Sequence, residues 1–209
     1  MDKKIGLFWL RDDFRLNKND GLIEATKNHQ HVVVFYLYKK EIFKNQEAQK
    51  WWLSRSLSNF RKELNNLNIT LEVVETNSFK IFFDKVIKKK DFTIYWNKVY
   101  EPDYLKFDAY LSSNLKNNRI NFKRFKGNAL NEIDEIKKND GTPFKVFTPF
   151  WKNAESFYIE KGFANNSSIK KKDKIIKISN SSKNIDEILP NENWYKKFEK
   201  YWIPSEKQA

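Results

Sequence analysis

Two short stretches gather side chains suited to holding a ligand: Trp9-Leu10-Arg11-Asp12-Asp13 and Trp96-Asn97-Lys98-Val99-Tyr100-Glu101. Each begins in an apolar run and ends in polar groups. Together they offer aromatic faces, a guanidinium, an amide and carboxylates, a set that can stack a planar heteroaromatic ring and bond its edge. General acid-base work by Asp12 and Asp13 is disfavoured, because adjacent residues in extended chain point in opposite directions. Pairing of Arg11 with Asp13, which would only shape a loop, is the purely structural alternative.

Several other chemistries lack their residues. The chain has no cysteine, which removes disulfides, thiol nucleophiles, zinc-thiolate sites and iron-sulfur clusters. Its five glycines form neither a G-x-G-x-x-G fingerprint nor a phosphate-cradling P-loop. His29 and His31 precede an apolar run without paired ligand spacing and are expected at the solvent surface. No nucleophile-His-acid arrangement is readable.

What must position the two stretches is an alternation of apolar runs and amphipathic segments. KIGLFWL (4–10) and HVVVFYLY (31–38) are continuously apolar, the pattern of strands buried on both faces. TLEVVE (70–75), FTIYW (92–96) and INFKRF (120–125) bring the strands to five. Helices are expected from Asp20 to Thr26, through QEAQKWWLSRSLSNFRKELNNL, through FKIFFDKVIKK and through YLKFDAYLSSNLKN. In the second of these, Trp52, Leu53, Ser56, Leu57, Phe60 and Leu64 share one face. The reading is an α/β fold, a Rossmann-like doubly wound five-stranded parallel sheet with a C-terminal linker and short helices. In strand order 3-2-1-4-5 the ligand crevice opens outside the carboxyl ends of the first and fourth strands, where both stretches lie.

The remaining third reads differently. GTPFKVFTPFWK (141–152) opens on a turn, and Thr148-Pro149 supplies a hydroxyl N-cap and a proline at the first helical position, predicting a helix over 149–161 closed by Gly162. SIKKKDKIIKISNSSKN (168–184) is lysine-rich and expected as a solvated loop, and Trp194, Phe198, Tyr201 and Trp202 follow at helical spacing. A chain of 209 residues fits one core with an appendage, here an α/β domain over 1–130 and a linker with helices over 131–209. The net charge of +13 permits a polyanion partner, although abundant Lys, Asn, Ile and Phe also follow from AT-rich coding. The charged N-terminus does not read as a signal peptide and no stretch is long enough to span a bilayer, so a soluble cytoplasmic chain without a membrane partner is expected.

Four blocks in order resemble the DNA photolyase/cryptochrome family. FWLRDDFRLNKNDGL (8–22) carries its arginine-aspartate-arginine loop through Arg11, Asp13, Arg15, Leu16, Asn19 and Leu22. WWLSRSLSNFRKEL (51–64) is similar to its second long helix, YWNKVYEPDYLKFD (95–108) to its fourth strand and Glu-Pro continuation, and GTPFKVFTPFWK to the hinge leading to a second, helical domain. Lys18 and Gly21 stand where the family usually has Asp and Ala, and in YWIPSEKQA, similar to the start of that helical domain, Ser205 replaces Gly.

The resemblance implies the N-terminal antenna domain of a deoxyribodipyrimidine photolyase, a lyase of DNA repair. Its chromophore would be a reduced folate, a deazaflavin or FMN, passing excitation energy to FAD. The FAD pocket and catalysis are implied for the helical domain, outside this chain and joined to it in cis or in trans, with DNA carrying pyrimidine dimers as the partner of the complete enzyme. On this reading Trp9, Leu10 and Arg11 meet the chromophore's ring and ribityl side, Phe35 and Tyr36 flank it from the second strand, and Asn97, Tyr100 and Glu101 bond its edge. The alternative is a free-standing flavin- or nucleotide-binding light-sensing module without repair activity. A bare DNA-contacting protein rests on the charge alone.

Overall fold

The computed structural model describes residues 4–127, 129, 131, 132, 135–161, 168–177 and 182–208. Five strands, β1 (Ile5–Leu10), β2 (His31–Tyr38), β3 (Thr70–Glu75), β4 (Phe92–Asn97) and β5 (Phe122–Phe125), form one parallel sheet in the order β3-β2-β1-β4-β5. Parallel strands need crossover connections, and helices supply them. α1 (Asp20–Asn28) and α2 (Glu47–Asn66) cover one face, while α3 (Phe79–Ile87) and α4 (Pro102–Asn117) cover the other. Side chains alternate across a strand, so Phe8 and Leu10 enter the α1/α2 core whereas Leu7 and Trp9 enter the α3/α4 core. The same alternation sends Tyr36 to the α2 side and Phe35 to the α3 side.

In α2 the buried stripe runs through Trp51, Leu53, Leu57, Phe60 and Leu64, and Trp52 stands 47% exposed, one position off the face expected of it. The fifth helix, α5 (Phe147–Lys161), begins two residues before the expected start, which puts Thr148 inside it. A proline is tolerated throughout a first turn because its missing N–H has no intrahelical acceptor there. Gly162, expected to close this helix, lies outside the described residues.

The lysine-rich segment is an exposed loop where it is described, as expected, but its backbone is also tied to β3 and to the turn before it. Lys172 N–H donates to Leu67 O at 2.9 Å, and Asn68 Nδ2 donates back to Lys172 O at 2.6 Å. Thr70 Oγ1 donates to Ile176 O. Further along, Lys183 N–H donates to Val73 O at 2.7 Å, while Val73 N–H donates to the Ser182 hydroxyl at 3.1 Å. The segment thus caps the free edge of β3, whose outward backbone groups would otherwise invite pairing with another chain.

Residues 185–208 return to α2 without forming the α-helix that their aromatic spacing suggested. Short 3-10 turns at Ile185–Ile188 and Asn193–Lys197 bury Ile185, Ile188 and Tyr195, while Tyr201 and Trp202 stay 72% and 60% exposed. No helix among the described residues is long and apolar enough to cross a membrane.

Because Ile185 is 2% exposed within the α2 core, Ile185→Ala should cost about 2–5 kcal/mol, the usual range for emptying such a site. Urea denaturation of the chain measures it, and a loss under ~0.5 kcal/mol would mean the segment does not pack on α2.

Candidate functional site

The carboxyl ends of β1 and β4 meet around a buried cation. Arg11 leaves β1 and turns inward, where Nη2 donates to Asn97 O at 2.7 Å and to Asp108 Oδ2 at 3.1 Å. Its guanidinium lies 4.5 Å from the Trp9 ring and 5.3 Å from that of Tyr104. Desolvation lowers the Arg11 pKa and Asp108 counters it, so the pair is a charge held in the interior by its partner. Asp108 also accepts from Trp96 Nε1 at 3.0 Å, tying α4 to β4. Asp13, the partner expected for Arg11, instead binds Arg15 through two bonds of 2.6 and 2.8 Å.

Asn97 closes the other side. Its Nδ2 donates to Asn19 Oδ1 at 3.0 Å and to Asp13 Oδ2 at 3.3 Å. Asn19 Oδ1 also accepts the Leu22 amide at 3.1 Å as the N-cap of α1. Here α1 comes so near β4 that a Cβ at Gly21 would stand 2.5 Å from Asn97 Oδ1 and 2.8 Å from Phe8 Cε2. Glycine at this position, where the resembled family has alanine, follows from that approach. Lys18, the other departure, adopts φ 52°, in the left-handed region that Asn, Asp and Gly enter more readily.

The expected crevice between β1 and β4 is consequently closed. Bounded by Arg11, Asp13, Asn97 and Lys98, it holds about 10 Å³, the space of a single water. Of the expected site residues, Trp9, Arg11 and Asn97 border it and the others do not. Trp9 is sealed by Phe79, Phe83 and Phe107 at centroid distances of 5.3, 4.9 and 5.8 Å, Phe35 packs on Phe82 and Phe83, and Leu10 is buried in the opposite core. Arg11 and Asn97 are spent on each other and on their neighbours. Glu101 is exposed at the start of α4, and Tyr100 is half-buried beyond the end of β4. His29 is buried, its Nε2 2.7 Å from the Tyr95 hydroxyl, and its ring occupies the space left by Gly6.

Beside the closed crevice, on the α2 side, lies an open cleft of about 700 Å³. Phe14, Tyr36 and Phe43 form its floor at the strand ends, and Trp51 and Trp52 form the α2 wall. Trp194, Phe198 and Trp202 make the outer wall. Phe14 meets Tyr36 at 6.0 Å, and Trp52 meets Trp202 edge-on at 6.3 Å. Among the described residues of the lining Asp12 supplies the one charged side chain, and burial together with Glu101 raises its pKa against the pull of Arg11. Of the residues expected from sequence, Tyr36 alone lines this cleft.

Asp108 was missed from the sequence although it carried a signal. A carboxylate in register with Leu111 and Leu115 on the buried face of an amphipathic helix demands a partner. The outer aromatic wall showed only as an aromatic stripe, and its partner could not be read because Trp194 lies 128 positions beyond Asn66, the end of α2.

The chain matches the family model for DNA photolyase over residues 6–166. It is 26% identical over 203 residues to a deoxyribodipyrimidine photo-lyase of Agrobacterium fabrum, an alignment covering 97% of this chain and 42% of that protein. Cryptochrome-1 of Arabidopsis thaliana is 26% identical over 153 residues, 72% of this chain and 22% of its own length. Among solved structures, a bacterial class III photolyase from Agrobacterium tumefaciens superposes with a TM-score of 0.79 at 24% identity, covering 100% of this chain and 43% of its own. An archaeal photolyase from Sulfolobus tokodaii, described with two FAD molecules and a novel light-harvesting cofactor, gives 0.64 at 20% identity, over 88% of this chain and 40% of its own. The chain therefore spans about two fifths of the length of the first of these relatives.

The buried pair yields a test of what closes the crevice. Asp108→Ala leaves Arg11 uncompensated and should cost about 3–5 kcal/mol, while the double variant Arg11→Met/Asp108→Leu should recover most of that loss. Chemical denaturation of the three proteins checks it, and equal losses in single and double variants would contradict the pairing.

Proposed function

The chain belongs to the DNA photolyase family, and we propose on that footing that its α/β body is the light-harvesting domain of a deoxyribodipyrimidine photolyase, with the antenna chromophore in the aromatic cleft between α2 and residues 194–202. The observation that carries this reading is the contrast in volume at the strand ends. A planar ring has no room in about 10 Å³, whereas about 700 Å³ lined by eight aromatic side chains accommodates one. Stacking on Trp52, with Trp202 edge-on beside it, would hold the ring face, and Asp12 would accept from N–H donors on its edge. A cleft whose charged group is a carboxylate disfavours a ligand that buries phosphate. The amino-bearing pterin ring of a reduced folate therefore suits it better than FMN.

When bound, such a chromophore absorbs light and transfers excitation energy. In the complete protein, FAD and the contact with pyrimidine dimers in DNA would belong to the length of the relatives that this chain does not span, supplied by a helical domain in cis or in trans. The side chains of the present chain bind, orient and shield the antenna.

Asp12 allows a two-sided test. Because its folded pKa is raised, the fold binds the proton more tightly than the unfolded chain, and stability falls as pH rises through the interval above the ordinary Asp value. Asp12→Asn should therefore raise the thermal midpoint at neutral pH, with the gain vanishing under acid conditions. Ligand binding runs the other way, since the carboxylate is the stronger acceptor. Titration with 5-formyltetrahydrofolate, followed by tryptophan quenching, should show binding that weakens about tenfold in Trp52→Ala and in Asp12→Asn. Binding undiminished in both variants would move the chromophore out of this cleft.

A further inference from the structure

One carboxylate joins the outer wall of the cleft to the loop that leaves β1. Glu206 accepts the backbone amide of Leu16 at 2.7 Å and that of Asn17 at 3.1 Å. The loop is tied inward from there. Asn19 Nδ2 donates to Arg15 O at 2.8 Å, Arg15 pairs with Asp13, and Asn97 Nδ2 donates to both Asn19 and Asp13. Glu206 thus stands at the outer end of a hydrogen-bonded path that reaches the carboxyl end of β4.

On its own side, Glu206 ends a segment fixed to α2 by polar anchors. Arg55 Nε donates to Glu199 Oε1 at 2.6 Å, and Asn59 Nδ2 donates to Pro204 O at 3.0 Å. Next to these anchors, Phe198 packs on Trp51 and Trp194 while 45% exposed, and Trp202 is 60% exposed, so burial alone holds them only in part. Beneath the segment lies a second hollow of about 320 Å³, with Phe14, Trp52 and Phe60 on one side and Pro204 to Glu206 on the other. The segment bridges this space without filling it. Beside the buried Pro204 and the ring contacts with Trp51 and Trp52, directed bonds hold its position, and the two made by Glu206 are charge-assisted, the stronger kind.

We propose that Glu206 is a positioning residue, a latch that holds residues 198–206 against the loop after β1 and thereby sets the aromatic cleft. The proposal rests on a ring seated in that cleft. Docking of the strap and occupation of the cleft are then coupled, and by linkage each strengthens the other by the same factor. Glu206 touches no ligand. It acts through Phe198 and Trp202 on one side and through Phe14 and Asp12 on the other.

Hydrogen exchange and ligand titration on the 209-residue chain test the latch together. In Glu206→Ala, the amides of Leu16 and Asn17 and those of 198–203 should exchange at least about tenfold faster, while β1 and β4 amides and the thermal midpoint stay close to the original. Affinity for 5-formyltetrahydrofolate should fall about tenfold, the equivalent of ~1.4 kcal/mol, and Glu206→Asp, which keeps the charge on a shorter arm, should restore part of both effects. Unchanged exchange over 198–203 in Glu206→Ala overturns the latch whether or not the folate binds. Faster exchange with unaltered folate affinity overturns the coupling to the cleft. If the unsubstituted chain fails to bind the folate, the chromophore reading falls, and the exchange rates still decide whether Glu206 holds the strap.

Discussion

The buried contact between Arg11 and Asp108 organises the carboxyl end of the sheet. Both side chains are almost fully removed from water, at 4% and 2% exposure, and a charge so placed is tolerated only with a partner. That requirement fixes the end of β1, the end of β4 and the first turns of α4 relative to one another, since the guanidinium bonds the Asn97 carbonyl and Asp108 also bonds the Trp96 indole. Among the described residues two guanidinium nitrogens, Nε and Nη1, have no hydrogen-bond partner, and the rings of Trp9 and Tyr104 stand near the cation. The junction that draws the strands together also fills the switch point of the sheet. A residue set that would suit a ligand is here committed to structure.

With the switch point filled, the open space at this end of the sheet lies between α2 and the returning chain. Tyr36 reaches it because alternation along β2 turns it toward α2, while Phe35, its neighbour, is sent into the other core. The two segments after α5 have different tasks. Residues 168–177, 182 and 183 bond the edge of β3 and the turn before it, whereas 185–208 cover the apolar stripe of α2 and contribute the outer wall of the cleft. Aromatic rings remain exposed elsewhere, with Phe147 and Trp151 of α5 stacked 6.2 Å apart at the surface.

The sheet was legible in the residues. Continuous apolar runs must be buried on both faces, and amphipathic helices between them must cover those faces, so five strands and four crossover helices follow from near-neighbour patterning alone. Boundaries fell within a few residues for the same reason, and the strand order observed is the one from which the crevice was located. Two tertiary roles were not legible in local signals. Helical spacing in Trp194 to Trp202 reflected contacts with α2 rather than a helix, and the lysine density of 168–184 concealed a backbone that pairs with a strand edge.

The sequence by itself determined the fold class, the family, and the end of the sheet at which polar and aromatic groups gather, because each depends on composition and spacing within a few tens of residues. Only the tertiary structure decided what those groups do. Arg11 could be assigned to a ligand or to a salt bridge until Asp108, 97 positions away, was seen to hold it, and the cleft could not be anticipated while Trp194 and Trp202 were unplaced against Trp51 and Trp52. Side-chain chemistry is written locally. Whether a charge is spent on the interior or left for a ligand is set by contacts between residues far apart in the chain, and those contacts exist only after folding.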